Sequence, residues 1–151
     1  MMYTSTGTIQ VTQRVEFECC YLSEGKYVEP HRYRVEATVE SPQHYADHGV
    51  VLNFAEFKKY ILSVVPDHAF VFNAGASSSQ AELEVGYKFV DYKLKTVEVD
   101  FPISAETLCN YIATNLQDVF NMKEPGVVLV DLKLRENNDS FVSWTRPNTY
   151  S

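Results

Sequence analysis

Two runs of strict alternation, joined by a turn signal, constrain the fold of this chain more than any other feature. Between Ile9 and Tyr21, the residues Val11, Val15, Phe17, Cys19 and Tyr21 share one parity. Successive side chains of a strand point to opposite faces, so the run predicts a half-buried strand. Ser23, Glu24 and Gly25 then supply a turn, and His31, Tyr33, Val35, Ala37 and Val39 repeat the pattern. Arg32, Arg34, Glu36 and Thr38 take the other face of this second strand, which leaves His31 and Tyr33 on its apolar side.

The period then changes. Asn53 with Glu56 makes a helix start, and Phe54, Phe57, Ile61, Val64 and Val65 recur at helical spacing up to the stop at Pro66. Ser104 is a good N-cap for a second helix with the stripe Leu108, Tyr111, Ile112, Leu116, Val119 and Phe120, which ends before Pro125 and Gly126. Between these helices lie a Gly/Ser-rich loop, residues 74–80, and two alternating runs, Leu83–Phe89 and Val97–Phe101. These two runs are expected to pair as a hairpin outside the main sheet. Alternation returns at Val127–Glu136 and again near Ser140–Thr145, with Asn137, Asn138 and Asp139 as the tight turn between them. The resulting order, β-β-α-(hairpin)-α-β-β, predicts an α+β domain over residues 1–151, with a four-stranded antiparallel sheet carrying two helices on one face.

Composition narrows the function classes. The chain is 45% hydrophobic and 13% aromatic, too apolar for a disordered protein. A net charge of −7 gives no basic footprint for a nucleic-acid partner, so a small ligand is the better expectation. The start of the chain lacks the basic and apolar regions of a signal peptide, and no apolar run reaches the roughly 20 residues of a membrane span. A cytoplasmic protein without a membrane partner is expected. Three cysteines are an odd number, and the adjacent Cys19 and Cys20 alternate across a strand, so reduced thiols are expected rather than a disulfide. No Cys falls at a metal-ligand spacing with another Cys or with His.

A few side chains stand out from the pattern. Glu136 continues the parity of Val130, Leu132 and Leu134, which puts a carboxylate at the end of an apolar strand face. Either the strand has ended and Glu136 is solvated, or its two oxygens are placed to accept two N–H donors from a flat heterocycle. Asp67-His68 follows the first helix and reads either as an exposed turn or as an acid–base pair. His31 reads as a core histidine or a metal ligand, and His44 and His48 as solvated loop residues.

The order of short segments adds a resemblance. Phe17-Glu18-Cys19-Cys20-Tyr21, Glu29-Pro30-His31-Arg32-Tyr33, and Gly49 through Phe54 come first. Val65 through Asn73, Pro102 through Thr107, and Leu134-Arg135-Glu136-Asn137 follow. Together they resemble, in order, the motifs of the 6-pyruvoyl and 6-carboxytetrahydropterin synthase family, which has the tunnelling fold. The resemblance implies a barrel built from several copies, a homo-oligomer that is a hexamer of two stacked trimers, with ligand sites between subunits.

It also implies roles. Asp67 and His68 match two members of the family's catalytic triad, and Glu136 matches the carboxylate that anchors the pterin ring. Ser104 and Glu106 match substrate-side neighbours of that anchor. The family's three zinc-ligating His positions read Tyr21, Glu29 and His31 here, so one imidazole remains as a metal candidate. The catalytic Cys has no counterpart, and Glu24 is the acid in its neighbourhood. Tyr is a poor zinc ligand at neutral pH. The expectation is therefore a divergent member that binds a pterin or purine-type heterocycle through Glu136, without a cofactor and without the ordinary synthase reaction. Two alternatives stay open. One is an active lyase acting on 7,8-dihydroneopterin triphosphate with a rebuilt zinc centre, and the other is a structural or interaction protein that keeps only the fold.

Overall fold

The computed structural model describes residues 7–147. The N-terminal residues read above for a leader, and both ends of the 1–151 span, lie outside the described residues. Among the described residues, no helix is long and apolar enough to cross a membrane.

The first two alternating runs form one long hairpin, β1 (Gln10–Ser23) and β2 (Tyr27–Glu40), antiparallel from Gln10↔Glu40 to Ser23↔Tyr27. Its turn places Glu24 at φ 55° and Gly25 at φ 68°, with the Lys26 N–H donating to the Ser23 carbonyl at 3.0 Å. Two consecutive left-handed residues are what a two-residue hairpin turn requires. Burial alternates as the sequence predicts, with Val15, Phe17, Cys19 and Tyr21 facing Tyr33, Val35, Ala37 and Val39 in one core.

A short helix follows where solvated loop residues are expected, α1 (Pro42–His48). Ser41 caps it, Pro42 occupies its first turn and Gly49 closes it in the left-handed region, which are the start and stop signals of a helix. His44 and His48 therefore sit on a helix. Next comes α2 (Phe54–Val64), where the Asn53 side chain accepts from the N–H groups of Ala55 and Glu56. Phe57 and Ile61 point into the core.

The middle of the chain differs most from expectation. A fully buried strand, β3 (Ala69–Asn73), runs parallel to the end of β1 and pairs with it at Cys19, Cys20 and Tyr21. It leads into a helix, α3 (Gln80–Asp91), and then to β4 (Thr96–Val99), which lies parallel to β3. The expected separate hairpin is thus a strand–helix–strand unit joined to the main sheet. Parallel neighbours need such a crossover. Leu83 to Phe89 alternates in sequence, but Ser79 accepts from the Glu82 N–H at 3.1 Å as an N-cap. The inward face is then set at helical spacing by Glu82, Gly86 and Phe89. Gly86 lies so close to Phe72 that a Cβ there would stand 2.2 Å from its ring.

The second expected helix is α4 (Ala105–Lys123), opened by a Ser104–Thr107 capping box. Strands β5 (Val128–Arg135) and β6 (Phe141–Thr145) complete the fold. The sheet is mixed and six-stranded, ordered β4-β3-β1-β2-β5-β6. The expected four antiparallel strands are its central and right-hand part, and β3 and β4 extend it.

The two faces of the sheet differ. Residues on the parity of Phe17 and Tyr33 pack with α2 and α4 in the main core, where Phe57 meets Phe120 edge-on at 6.0 Å. The opposite, outer parity carries Glu16, Glu18, Cys20, Arg32 and Arg34. There Phe70, paired in register with Cys20, stacks on Phe89 of α3 at 4.5 Å, and Tyr87 meets Phe72 edge-on. So α3 covers the outer face, whereas α2 and α4 share the inner one.

Candidate functional site

Strand register brings the singled-out residues together by parity. Cys19 lies opposite His31, Tyr21 opposite Glu29, and Phe17 opposite Tyr33. All six project on the helix-facing side, toward the end of the sheet that leads to the Glu24 turn. His31 stacks on Tyr21, with ring centroids 4.3 Å apart and planes 9° from parallel, and lies 5.6 Å from the Tyr33 ring. The hydroxyls of Tyr21 and Tyr33 are 2.8 Å apart. Burial raises the pKa of both phenols, that of Tyr33 furthest.

Glu136 joins this cluster from β5. Arg135 is the last paired residue, opposite Arg34, and the next side chain reaches across to His31. Glu136 Oε1 lies 2.6 Å from His31 Nδ1. Ionised carboxylates only accept, so Nδ1 carries the proton and donates. Half of the Glu136 side chain remains exposed, 49%, against 11% for His31. A half-exposed carboxylate is thus oriented by a largely covered imidazole. His31 Nε2 is buried with no hydrogen-bond partner, and Glu29 Oε2 stands 3.7 Å away.

These residues do not fit a three-ligand zinc site. The Tyr21 hydroxyl is committed to Tyr33 and its pKa lies above the usual phenol value, so the phenolate needed for ligation is disfavoured. His31 can offer only Nε2, since Glu136 holds its Nδ1. Among the described residues, no group of three or more His, Cys, Asp or Glu side chains is arranged to hold a metal ion. No step is therefore assigned to zinc.

Asp67 and His68 are held differently. The Glu18 N–H donates to Asp67 Oδ1 at 3.0 Å, and the His68 N–H donates to the Glu18 carbonyl. This two-point clamp fixes the turn on β1, with His68 at φ 56°. His68 Nδ1 is 3.0 Å from Asp67 Oδ1. Burial raises the Asp67 pKa, but the Glu18 N–H, His68 and Lys95 outweigh it and leave the carboxyl below its ordinary value. The His68 ring is 73% exposed and borders depressions shared with the outer-face residues Glu18 and Arg32 and with Cys20 and Phe70. Within one chain, the Asp67–His68 pair lies on the outer side of the sheet and the His31–Glu136 pair on the inner side.

The other expected residues are scattered. Ser104 spends its hydroxyl on the N-cap of α4, accepting from the Thr107 N–H at 3.1 Å. The helix runs antiparallel to β5, since Gln117 bonds Val127 and Leu129 while the Cys109 thiol meets the Leu132 carbonyl. Its Ser104 end is therefore directed toward the Glu136 end of β5, with Glu106 exposed in the first turn. Glu24 lies at the hairpin tip, five residues along β1 from the row of Cys19 and His31 and so roughly 15 Å away. No thiol in the site is activated. Burial pushes Cys19 up to about 12, and neighbouring negative charges add to it. In the sequence, Tyr33 shows only a face shared with His31. Its part in the cluster follows from the stacking and the paired hydroxyls, which residue spacing does not encode.

Comparison with known proteins agrees with this architecture. The family model described as 6-pyruvoyl tetrahydropterin synthase matches residues 11–147. No curated protein sequence matches the chain. Among solved structures, an uncharacterized protein from Wolinella succinogenes is similar with a TM-score of 0.65 at 16% identity, over 94% of this chain and 100% of that one. The 6-pyruvoyl tetrahydropterin synthase of Caenorhabditis elegans is similar with a TM-score of 0.60 at 14% identity, over 96% and 100% of the two chains. That of Plasmodium vivax, described in a form with a catalytic glutamate replaced by alanine, is similar with a TM-score of 0.63 at 15% identity, over 91% and 98%.

Proposed function

Because the chain belongs to the 6-pyruvoyl tetrahydropterin synthase family, we propose that it binds a flat pterin- or purine-type heterocycle through Glu136, without zinc and without the ordinary synthase reaction. The observation that carries this reading is the 2.6 Å contact between His31 and Glu136. It fixes a half-exposed carboxylate at the end of an apolar face, the arrangement needed to accept adjacent ring N–H and amino donors. A charge-assisted pair of this kind gives both affinity and orientation. His31 then acts as a positioning residue for the anchor rather than as a metal ligand.

Asp67 and His68 are the proposed acid–base pair. Since one chain places them across the sheet from Glu136, a site using both takes them from two copies, which supports a homo-oligomer of the hexameric kind. The free edges of the sheet suit such an assembly. β3 meets β1 only at Cys19–Tyr21, so among the described residues the outer edge of β1 from Gln10 to Glu18 has no strand beside it, and β6 forms the opposite edge. Ser104 and Glu106 are proposed as neighbours of the bound ring, and Glu24 as the counterpart of the catalytic glutamate described for the Plasmodium vivax protein. Three free cysteines suit a reducing compartment, and we place the protein in the cytoplasm.

One observation favours a competing reading, a rebuilt metal centre in an active lyase. His31 Nε2 is buried without a partner, and Glu29 stands beside it. Metal analysis of purified protein, with turnover of dihydroneopterin triphosphate, separates the two. The main reading is tested by isothermal titration with pterins and guanine derivatives. Binding to the wild type that is lost in Glu136→Ala is expected, and no binding to either protein would sink it. A monomer by light scattering would remove the two-copy site.

A further inference from the structure

A groove of about 370 Å³ opens on the outer face, where α3 overhangs the end of β1. Cys20, Phe70, Phe89 and Leu94 give it carbon-lined walls, and His68 and Lys95 stand on its polar side. Its size is within the range of small-molecule pockets, about 300–1,000 Å³, and its make-up is of the same kind, mostly apolar with a few convergent polar groups. The Phe70–Phe89 stack, at 4.5 Å and 10° from parallel, makes one wall a flat aromatic surface.

The groove holds one ammonium that no carboxylate among the described residues touches. Glu18 borders it, but its carboxylate is held by the Arg32 guanidinium at 2.9 Å. Asp67 is engaged by the Glu18 N–H and by His68 Nδ1. Lys95 forms no ion pair among the described residues, and His68 Nε2 is the ring nitrogen left for a ligand. The Lys95 charge is felt by Asp67 and helps hold its carboxyl below its ordinary value, but no ion-pair contact joins the two, so the ammonium can still meet a ligand. One ammonium above carbon walls matches one negative charge on an apolar body, whereas a polyphosphate needs several cations.

We propose that this groove is a binding site for a compact aromatic monoanion, with its ring against Phe89 and Leu94 and its anionic group on Lys95. The lining comes from one chain and meets the proposed acid–base pair at His68, whereas Phe89, Leu94 and Lys95, which would hold the ring and the anion, are outside the residues proposed for the heterocycle. The other occupant such walls would accept is an apolar side chain of a second copy, which the test separates.

The full-length protein, ¹⁵N-labelled, is titrated with phenylacetate, benzyl alcohol and inorganic triphosphate while amide shifts are followed. Saturable shifts confined to Cys20, His68, Phe70, Phe89 and Lys95 are expected with phenylacetate, with weaker binding of benzyl alcohol and no groove shifts with triphosphate. Lys95→Glu, an exposed position that does not threaten folding, should weaken phenylacetate about fivefold, the upper scale of one exposed ion pair. Lys95→Arg should retain it, and Glu136→Ala should bind phenylacetate as the wild type does, which separates this site from the anchor. Equal binding of phenylacetate and benzyl alcohol, or no effect of Lys95→Glu, overturns the proposal. So does a groove silent to phenylacetate, and a smaller assembly of Leu94→Asp in light scattering would then make it a subunit contact.

Discussion

His31 Nδ1 and Glu136 Oε1 lie 2.6 Å apart although 105 residues separate them in the chain. This contact ties β2 to the end of β5 at the point where the apolar face of the sheet meets solvent, and it fixes where an incoming ring would find a carboxylate. Removing the acceptor should therefore cost more than removing the residue that orients it. Glu136→Ala is expected to weaken pterin binding by about ten- to a hundredfold, corresponding to about 1.5–3 kcal/mol for hydrogen bonds to a charged group. His31→Ala should lose less, because the carboxylate stays and only its orientation is released. Titration calorimetry on both variants checks the order, and a larger loss for His31→Ala would argue against the anchor role.

A three-histidine set can be built by substitution. Positions 21, 29 and 31 share one face and adjacent rows of the β1–β2 ladder. The double substitution Tyr21→His with Glu29→His is expected to take up one zinc ion per chain, while the purified wild type holds far less than one. Elemental analysis reads both. Stoichiometric zinc in the wild type would show that Tyr21 and Glu29 do not block the site.

Gly86→Ala distinguishes a tightly seated helix α3 from an exposed one. At an exposed helical position the change would stabilise the protein by about 1 kcal/mol through propensity. Here the added Cβ meets the Phe72 ring at 2.2 Å, so overpacking should destabilise by about 1–3 kcal/mol. Denaturant unfolding gives the sign, and a rise in stability would place α3 away from β3.

Asp67 should leave a signature in acid. Its folded-state pKa lies below its ordinary value, so the stability it contributes is present at neutral pH and is lost as pH falls below about 4. Asp67→Asn removes that titration. The variant should be less stable than the wild type at pH 7, with the difference shrinking below about pH 4. A stability difference that stays constant from pH 7 to pH 2 would mean that the charge on Asp67 contributes nothing.

The sequence carried the β1–β2 hairpin, α2, α4 and the last two strands because each has a long amphipathic period and clear end signals. It concealed β3, whose five residues are all buried and so show no alternation. It misdirected at α3, where Leu83, Val85, Tyr87 and Phe89 alternate by chance on a helix whose seat is decided by Gly86 against Phe72. For the candidate site, parity alone placed His31, Tyr33 and Glu136 on one side. The pairing of the Tyr21 and Tyr33 hydroxyls, and the separation of Asp67–His68 from Glu136 by the sheet, depend on rotamers and on tertiary placement. No residue spacing carries those.

The outer face of the β1–β2 hairpin holds a different kind of information. Glu18 faces Arg32, Glu16 faces Arg34 and Arg14 faces Glu36, with Thr12 opposite Thr38 and Gln10 opposite Glu40. Apolar alternation is blind to a slip of two residues, since every side chain returns to its own face. The charges are not blind to it. A slip in one direction would set Arg14 against Arg34, and a slip in the other would set Glu16 against Glu36. Like charges directly opposite one another destabilise a ladder. The outer row thus works as a checksum on strand alignment, and the juxtaposition of Tyr21, His31 and Glu29 on the inner row inherits its accuracy from charges on the opposite face of the hairpin.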